Sequence, residues 1–252
     1  MSRGLSRPSK WDCPVCFLPL PIDERDSQIF NCCSKVVCYG CMCESTLRGG
    51  SSDCPFCRTP LPSDDQERIR RLRSRAGARD PVAMWQLGMK LFDGSGLRRD
   101  RARALELWRG AAELGSSRAH YSLGYAYLCG LGVAADNERA RHHYELAAAE
   151  GNVHARHSLG DMEYKDGNAD AALGHWMISA KMGDKESLDV IRRMHAHNLA
   201  TKDQYAEALF GYRDASDEMK SPARDAAKLL NFSGVVHRYT RAPRGGGVAI
   251  IH

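Results

Sequence analysis

Eight residues, most of them alanine or glycine, recur along this chain at a fixed offset of 36 positions. The pattern begins a third time with Ala155, Leu159 and Gly160, and its spacing then contracts by four, so that Ala180 and Gly183 follow the second unit by 32 positions. Such self-similarity over many positions is typical of a repeat protein. The recurring pairs are Ala83 and Ala119, Leu87 and Leu123, Gly88 and Gly124, Asp100 and Asp136, Ala104 and Ala140, Ala111 and Ala147, Ala112 and Ala148, and Gly115 and Gly151.

Each unit has the pattern of a hairpin of two helices. In the first unit an apolar helix is predicted over 83–92, followed by a glycine-containing turn at 94–96, a second helix that starts near Asp100, and Gly115 after its end. One such hairpin cannot bury its own apolar face, so three stacked hairpins are expected to share a continuous core and to form a concave surface. The four residues that the third unit lacks are expected to fall in its inter-helix turn.

The repeat resembles the Sel1-like family, which is related to the tetratricopeptide repeat. The resemblance rests on A-x-x-x-L-G in the first helix, on the turns G-S-G-L at 94–97 and G-L-G-V at 130–133, and on A-A-x-x-G at the end of the second helix. It covers 80–183, although Gly167-Asn168 replaces the turn in the third unit. Members of this family act as adaptors in protein complexes, so the resemblance implies that a protein partner binds the concave face of the repeats.

The cysteines are concentrated in a short segment, since nine of the ten fall between Cys13 and Cys57. Residues 11–62 show no helical period and cannot bury much apolar surface, so another agent must hold them together. A two-residue gap lets two thiolates from one turn bind a single tetrahedral zinc ion. Without a secretory signal we expect two zinc ions here, in preference to disulfides or a metal-free loop. The pairs are Cys13 and Cys16, Cys32 and Cys33, Cys38 and Cys41, and Cys54 and Cys57.

This segment, about one fifth of the chain, resembles a RING finger through C-P-V-C at 13–16, C-C-S-K-V-V-C-Y-G-C at 32–41 and C-P-F-C-R at 54–58. Lys35 stands where a typical RING has a histidine ligand, and an ammonium group cannot bind zinc. We expect Cys32 to supply the missing ligand, with Cys43 as the alternative. RING ligands interleave, so the resemblance implies one site of Cys13, Cys16, Cys38 and Cys41, and another of Cys32, Cys33, Cys54 and Cys57.

By the same resemblance, Val15, Pro55 and Arg58 take positions that contact a ubiquitin-conjugating enzyme, and Arg58 has the family's usual linchpin position. RING ligases use no nucleophile of their own, because they act by holding the thioester of the conjugating enzyme in a reactive pose. Ser45 stands where the family commonly has a bulky apolar residue, with Leu47 two positions further on. Two functions therefore stay open: a RING-type ubiquitin ligase whose repeats recruit a protein partner, and a non-catalytic zinc-containing adaptor.

The charged runs and the histidines of the chain give weaker indications of function than the cysteines and the repeats. The net charge of +5 comes largely from arginine runs, such as 68–75. Because these runs are short or have acidic neighbours, we treat nucleic-acid binding only as a third hypothesis and do not expect it. The pairs His142 with His143 and His154 with His157 lack a well-placed acidic ligand and are expected to be solvated or hydrogen-bonded. Cys43 and Cys129 are expected to be small buried residues.

The chain is thus predicted to be mostly α-helical, with a small zinc-stabilised RING-like module joined by a helix to an α-solenoid of helical hairpins. No stretch is apolar enough to cross a membrane, so we expect a cytoplasmic or nuclear protein. The connecting helix, predicted over 63–78, begins with a capping box of Ser63 and Gln66. The predicted segments are a flexible N-terminus (1–10), the RING-like module (11–62), an Arg-rich connecting helix (63–79), the repeats with a C-terminal capping hairpin (80–216), and a basic, largely flexible tail (217–252). The two helices of the capping hairpin are predicted at 185–197 and 202–212. The tail is predicted to contain one short helix at 224–230.

Overall fold

A computed structural model of the protein describes residues 11–23, 26–48 and 53–230. Helices predominate among these residues, with a single two-stranded sheet near the N-terminus, and this confirms the predicted mostly α-helical solenoid. The residues at 1–10 and beyond 230, including the basic run at 241–247, lie outside the described residues. None of the described helices is long and apolar enough to cross a membrane.

The cysteine module, which comprises the described residues of 11–62, contains one small sheet and one helix. Strand β1 (Ser27–Ile29) pairs antiparallel with β2 (Val36–Cys38), and α1 (Tyr39–Leu47) follows β2 directly. Besides cysteines, the large apolar side chains buried in the module are Leu20, Phe30, Val37 and Tyr39. So small an apolar core does not by itself stabilise a fold, and the cysteines must contribute.

Helix α2 (Asp65–Gly77) joins the module to the repeats. The side chain of Asp64 caps the helix by accepting a hydrogen bond from a backbone N–H of the first turn, so the predicted capping box of Ser63 and Gln66 is wrong. An aspartate at this place is a good cap and also an anion beside the positive end of the helix. The buried residues of its apolar face are Ile69 and Leu72.

Three helical hairpins follow α2. Asp100 and Asp136 cap the second helix of the first two hairpins, and Gly94 and Gly130 end the first helix in the left-handed conformation, which glycine adopts without strain. The hairpins are α3 (Pro81–Asp93) with α4 (Arg101–Glu113), α5 (Ser117–Cys129) with α6 (Asn137–Ala149), and α7 (Val153–Lys165) with α8 (Ala169–Lys181).

The recurring glycine of each first helix faces an aromatic ring of the second helix. A Cβ atom added to Gly124 would lie 2.6 Å from the ring of Tyr144, and one added to Gly160 would lie 2.6 Å from Nε1 of Trp176. These separations are far below van der Waals contact. The repeat conserves its small residues because the paired helices pack at a distance that only a missing side chain permits.

The third hairpin is shortened in its turn, as predicted. Residues 166–168 connect α7 to α8, whereas residues 94–100 connect α3 to α4. Asn168 precedes α8 without making a side-chain cap. The four missing residues are therefore lost from the turn and not from either helix, and the packing of the two helices is retained.

Three further helices extend the stack: α9 (Lys185–Ala196), α10 (Lys202–Glu218) and α11 (Pro222–Leu229). Helix α10 runs six residues past its predicted end at 212, because its last turns pack on other parts of the chain. Gly183 lies beside Met219 and Ala215, and a Cβ on Gly183 would approach Cε of Met219 to 2.7 Å. These tertiary contacts extend a helix whose sequence at 214–218 has no apolar stripe.

The cysteine module packs along the repeats and is not held by α2 alone. Arg118 of α5 stacks between the rings of Trp11 and Trp85, at 4.9 and 5.2 Å from their centroids. Trp11 also donates a hydrogen bond from Nε1 to the carbonyl oxygen of Glu150, at 3.3 Å. At its other side α1 packs against α11, where Tyr39, Cys43 and Ala227 are buried together. The module therefore contacts the chain from the first hairpin to the last helix.

Candidate metal centre

Two of the cysteine pairs lie in turns of the same backbone geometry. In the first turn Cys13 N donates to Leu18 O and Phe17 N donates to Cys13 O, both at 2.8 Å. In the other, Cys54 N donates to Thr59 O and Arg58 N donates to Cys54 O, both at 2.9 Å. Phe17 and Arg58 have φ angles of 58° and 54°, which close the turn. Each C-x-x-C pair is thereby held in a tight turn that brings its two sulfurs together.

The middle loop has the same hydrogen-bond pattern but a different residue in the first ligand position. Phe30 N donates to Lys35 O at 2.9 Å and Ser34 N donates to Phe30 O at 2.7 Å. Phe30 thus occupies the place that Cys13 and Cys54 occupy in the other turns, and it is buried in the core of the module. Cys33 takes the second ligand position, and the adjacent Cys32 offers the sulfur that Phe30 lacks. The signal in the sequence was the position of Phe30 three residues before Cys33.

The fold brings eight cysteines together as two interleaved clusters, and within each cluster all four Sγ atoms lie within 4.8 Å of one another. Four sulfurs at about 2.3 Å from a tetrahedral zinc ion would be separated by about 3.8 Å. The Sγ–Sγ distances of the structure fit this value: 3.9 Å for two pairs in the first cluster and 3.6 Å for one pair in the second. We call Cys13, Cys16, Cys38 and Cys41 the first cluster, and Cys32, Cys33, Cys54 and Cys57 the second cluster.

The remaining two cysteines lie outside both clusters. Cys43 is buried on α1 against Tyr39 and Ala227, where burial raises the pKa of its thiol. The geometry therefore brings Cys32, and not Cys43, to the second cluster. Cys129 is exposed at the last residue of α5, so the expectation that it is buried is wrong. Its position beside the solvent-facing turn explains the exposure.

Each cluster contains a thiol that ionises readily. The neighbouring thiol of Cys38 lowers the pKa of Cys13 well below its usual value. At the exposed edge of the second cluster, the hydroxyl of Thr59, 3.1 Å from the sulfur, lowers the pKa of Cys57 to about 6. A thiolate is the form that binds soft metal ions, and the other thiols of a cluster lose their protons when a metal binds.

The three residues expected to contact a conjugating enzyme are all exposed. Val15 is 46% exposed, and Pro55 and Arg58 are also exposed. Phe17 and Phe56 add apolar surface at the same two turns, with 78% and 37% exposure. The sequence interpretation had overlooked both phenylalanines.

The departures from the RING pattern are also at the surface. Lys35 is exposed, so its ammonium group is not buried among the sulfurs. Ser45 is exposed on α1, and Leu47, two residues further on, is 70% exposed. A bulky apolar residue is thus present near the end of α1, but on a different side of the helix from the position that the family uses.

His143 and His157 of the repeats are hydrogen-bonded and His142 is exposed, as expected. Nδ1 of His143 lies 3.1 Å from Nδ1 of His120. Nδ1 of His157 lies 2.7 Å from Oγ of Ser187 and 3.2 Å from Oδ2 of Asp184. This places a serine, a histidine and an aspartate side by side, but Ser187 has no exposed surface. A substrate cannot reach the hydroxyl, so the group holds α7 and α9 together and is not a nucleophilic site.

Comparison with known proteins identifies the repeats. A family model described as the Sel1 repeat matches residues 81–116 and 117–152, and these residues do not include the cysteine module. A Sel1 repeat protein from Oxalobacter formigenes has a similar crystal structure: it is 26% identical, the match covers 71% of this chain and 70% of that chain, and the TM-score is 0.54. No curated protein sequence matches the chain.

A second similar structure is a protective antigen present in uropathogenic Escherichia coli strains, which displays an SLR fold. It is 25% identical with a TM-score of 0.53, and the match covers 78% of this chain but only 41% of the antigen. The chain therefore contains Sel1 repeats, which form a scaffold for protein–protein interaction.

Proposed function

We propose that the cysteine module binds two zinc ions and that the protein is a RING-type ubiquitin ligase whose Sel1 repeats recruit a protein partner. The observation that carries the proposal is the pair of interleaved four-cysteine clusters, together with the exposed apolar residues of two of the cysteine turns. The repeats supply the scaffold, and the module supplies a rigid surface for a second protein.

The donor set of each cluster fits zinc. Four thiolates per ion satisfy the tetrahedral coordination of a structural zinc site, and such a closed site stabilises a fold without offering a position for a catalytic water. All described cysteines are free thiols, which fits a reducing compartment, and we place the protein in the cytoplasm or nucleus. Purified protein is expected to contain two zinc ions per chain by elemental analysis.

The exposed face of the module is the proposed contact for a ubiquitin-conjugating enzyme. Val15, Phe17 and Phe56 are exposed apolar residues of two cysteine turns, and Arg58 is an exposed cation of the second of these turns. Trp11, by contrast, contacts Arg118 and the backbone of Glu150 in the repeats. The exposed residues of the module include the three that the RING resemblance assigns to the enzyme contact.

The repeats are proposed to hold the target protein on their concave face. Stacked helical hairpins form an extended surface of this kind, and adaptors use it to bind other proteins. Tyr125 of α5 and Tyr164 of α7 are exposed aromatic residues on the first helices of two hairpins, at 45% and 49% exposure. Aromatic side chains of this type contribute strongly to protein interfaces.

Ser45 favours a second candidate function, a non-catalytic zinc-containing adaptor. The position that often carries a bulky apolar residue in the RING family carries a small polar residue here, and it is exposed on α1. A weaker contact with conjugating enzymes would leave the module as a docking surface without ligase activity. The same two zinc ions and the same repeat partner would then be retained.

Autoubiquitination assays with a panel of conjugating enzymes distinguish the two candidates. The ligase proposal expects ubiquitin chains with wild-type protein and a loss of at least tenfold with Arg58→Ala or Val15→Ala, while zinc content stays unchanged. Arg73→Ala, which removes an exposed arginine of α2, is the matched control and should keep wild-type activity. Zinc-loaded protein that forms no ubiquitin product with any enzyme of the panel would reject the ligase and leave the adaptor.

A further inference from the structure

We infer that Arg224 is the counter-cation of the first cluster, so that α11, from the far end of the chain, forms part of that metal site. The inference rests on the zinc binding proposed above and goes beyond it by naming a residue outside the cysteine module that tunes one of the two sites.

The guanidinium of Arg224 is buried against the loop that carries the first cluster. Its Nη2 donates to Sγ of Cys16 at 3.5 Å and to Leu18 O at 3.4 Å. Its Nη1 donates to Pro19 O at 2.8 Å and to Met219 O at 2.6 Å. Only 4% of the residue is exposed. One side chain therefore fixes the loop after Cys16, contacts a ligand sulfur and joins both to the end of α10.

The charge of this buried group needs a partner. No carboxylate among the described residues forms an ion pair with Arg224, and its Nε atom is buried without a hydrogen-bond acceptor within that part of the chain. Burying an unpaired guanidinium is strongly unfavourable. A zinc ion with four thiolates carries a net charge of −2, so a loaded first cluster supplies the missing anion, and Arg224 in turn stabilises the anionic site.

Local packing explains how α11 reaches the cluster. Ser221 caps the helix and Pro222 occupies its first turn, which fixes where it starts. A Cβ atom on Gly40 of α1 would lie 2.7 Å from both Cγ and N of Arg224. Glycine at this position thus lets the backbone of α11 approach the first turn of α1, which lies between ligands Cys38 and Cys41.

The second cluster is held differently. Thr59 contacts Cys57, and Arg75 reaches only a backbone oxygen, Cys32 O at 3.0 Å, while forming an ion pair with Asp80. Within the described residues, no guanidinium donates to a sulfur of this cluster. Loss of Arg224 should therefore affect one zinc ion and not the other.

Zinc release to a chromogenic chelator tests this asymmetry in the full chain. With Arg224→Met, one of the two ions should be released at least tenfold faster than in wild type, and the other ion should be released at the wild-type rate. Changes to residues that contact metal ligands typically weaken metal binding tenfold to hundredfold. Arg224→Lys, which keeps the charge but loses the fork of donors, should give an intermediate rate. Arg213→Met, at an exposed arginine of α10, is the matched control and should release both ions at wild-type rates.

Two further variants show which cluster holds the faster-released ion and whether misfolding of the Arg224 variant explains the release. Cys57→Ser removes a ligand of the second cluster, so the single ion that remains should show the acceleration when Arg224→Met is added. Gly40→Ala displaces α11 without changing a polar group and should accelerate release of the same ion, with the helical circular dichroism of the repeats retained. Two ions released at wild-type rates from both Arg224→Met and Gly40→Ala would overturn the inference, whereas wild-type protein without zinc would overturn the proposed function itself.

Discussion

Gly88 of α3 lies directly against the indole ring of Trp108 of α4, such that a Cβ atom on Gly88 would come within 2.3 Å of Nε1. Trp108 is fully buried, and its Nε1 donates to Trp85 O at 3.1 Å. The ring therefore cannot move aside without losing that hydrogen bond. This one contact sets the spacing of the two helices in the first hairpin.

The first prediction is that Gly88→Ala destabilises the protein. The added methyl group must push the helices apart or displace Trp108, and overpacking of this kind lowers the free energy of unfolding by about 1–3 kcal/mol. Gly174→Ala is the matched control, because Gly174 lies within α8 with nothing near its Cβ position. It should stabilise the protein by about 0.5–1 kcal/mol. Urea unfolding measures both, and equal stability of the two variants would contradict the prediction.

The repeats could be predicted in detail because their signals are local. Spacing of small residues, capping aspartates such as Asp100 and left-handed glycines such as Gly94 act within one hairpin. The length of α10 could not be predicted, since its last turns depend on Gly183, more than 30 residues earlier. Contacts of that range leave no periodic trace in the sequence.

The same holds for the candidate metal centre, whose local turns could be predicted and whose long-range contacts could not. The C-x-x-C turns could be predicted from spacing, and the interleaving of the clusters from resemblance. The choice between Cys32 and Cys43 needed the fold, because Cys43 points from α1 toward Ala227. Arg224 could not be found at all from sequence, as 208 positions separate it from Cys16.

The second prediction concerns acid sensitivity at His143. Burial, together with neighbouring cations, lowers the pKa of His143 from 6.5 to about 4. Below pH 6.5 the unfolded chain binds a proton at this residue that the folded chain does not, so stability is lost as the pH falls from 6.5 toward 4. The groups that face it are His120, His142, Arg109 and Arg139.

Unfolding of His143→Gln at pH 7.5 and 5.5 tests this prediction. The variant should lose less stability than wild type between the two pH values. His197→Gln, at an exposed histidine, should keep the wild-type dependence, and zinc content is measured in each sample so that metal loss is accounted for. The same pH dependence in His143→Gln and wild type would show that another group is responsible.

The third prediction concerns the buried pair of His157 and Asp184. Burial alone would raise the pKa of Asp184, but hydrogen bonds from His157 and Ser187 outweigh it and lower the pKa to about 2. Burial likewise opposes the charge of His157, and Asp184 and Asp161 still raise its pKa. Asp184→Ala should cost about 3 kcal/mol at pH 6, because it leaves His157 without its anion. Asp161→Ala, on the exposed side of the ring, should cost less than about 1 kcal/mol.

The pH dependence of this pair has a definite sign. The Asp184 contribution is present above pH 3.8 and is lost as the pH falls toward 2. The His157 contribution is present below pH 6.5 and is lost as the pH rises through the raised pKa of the folded state. The difference between wild type and Asp184→Ala should therefore be smaller at pH 9 than at pH 6. Equal differences at the two pH values would contradict the assignment of a charged His157.

The fourth prediction is that removal of the two proposed zinc ions unfolds the cysteine module and leaves the repeats helical. The repeats have their own buried core around Trp85, Trp108 and Trp176, whereas the module has few apolar residues. Chelation should retain most of the far-ultraviolet circular dichroism while changing the fluorescence of Trp11, which loses its contact with Arg118. Trp11→Phe is the control, and it should abolish that fluorescence change. A Trp11 signal that stays constant after all metal has been removed would mean that the module holds its shape without zinc.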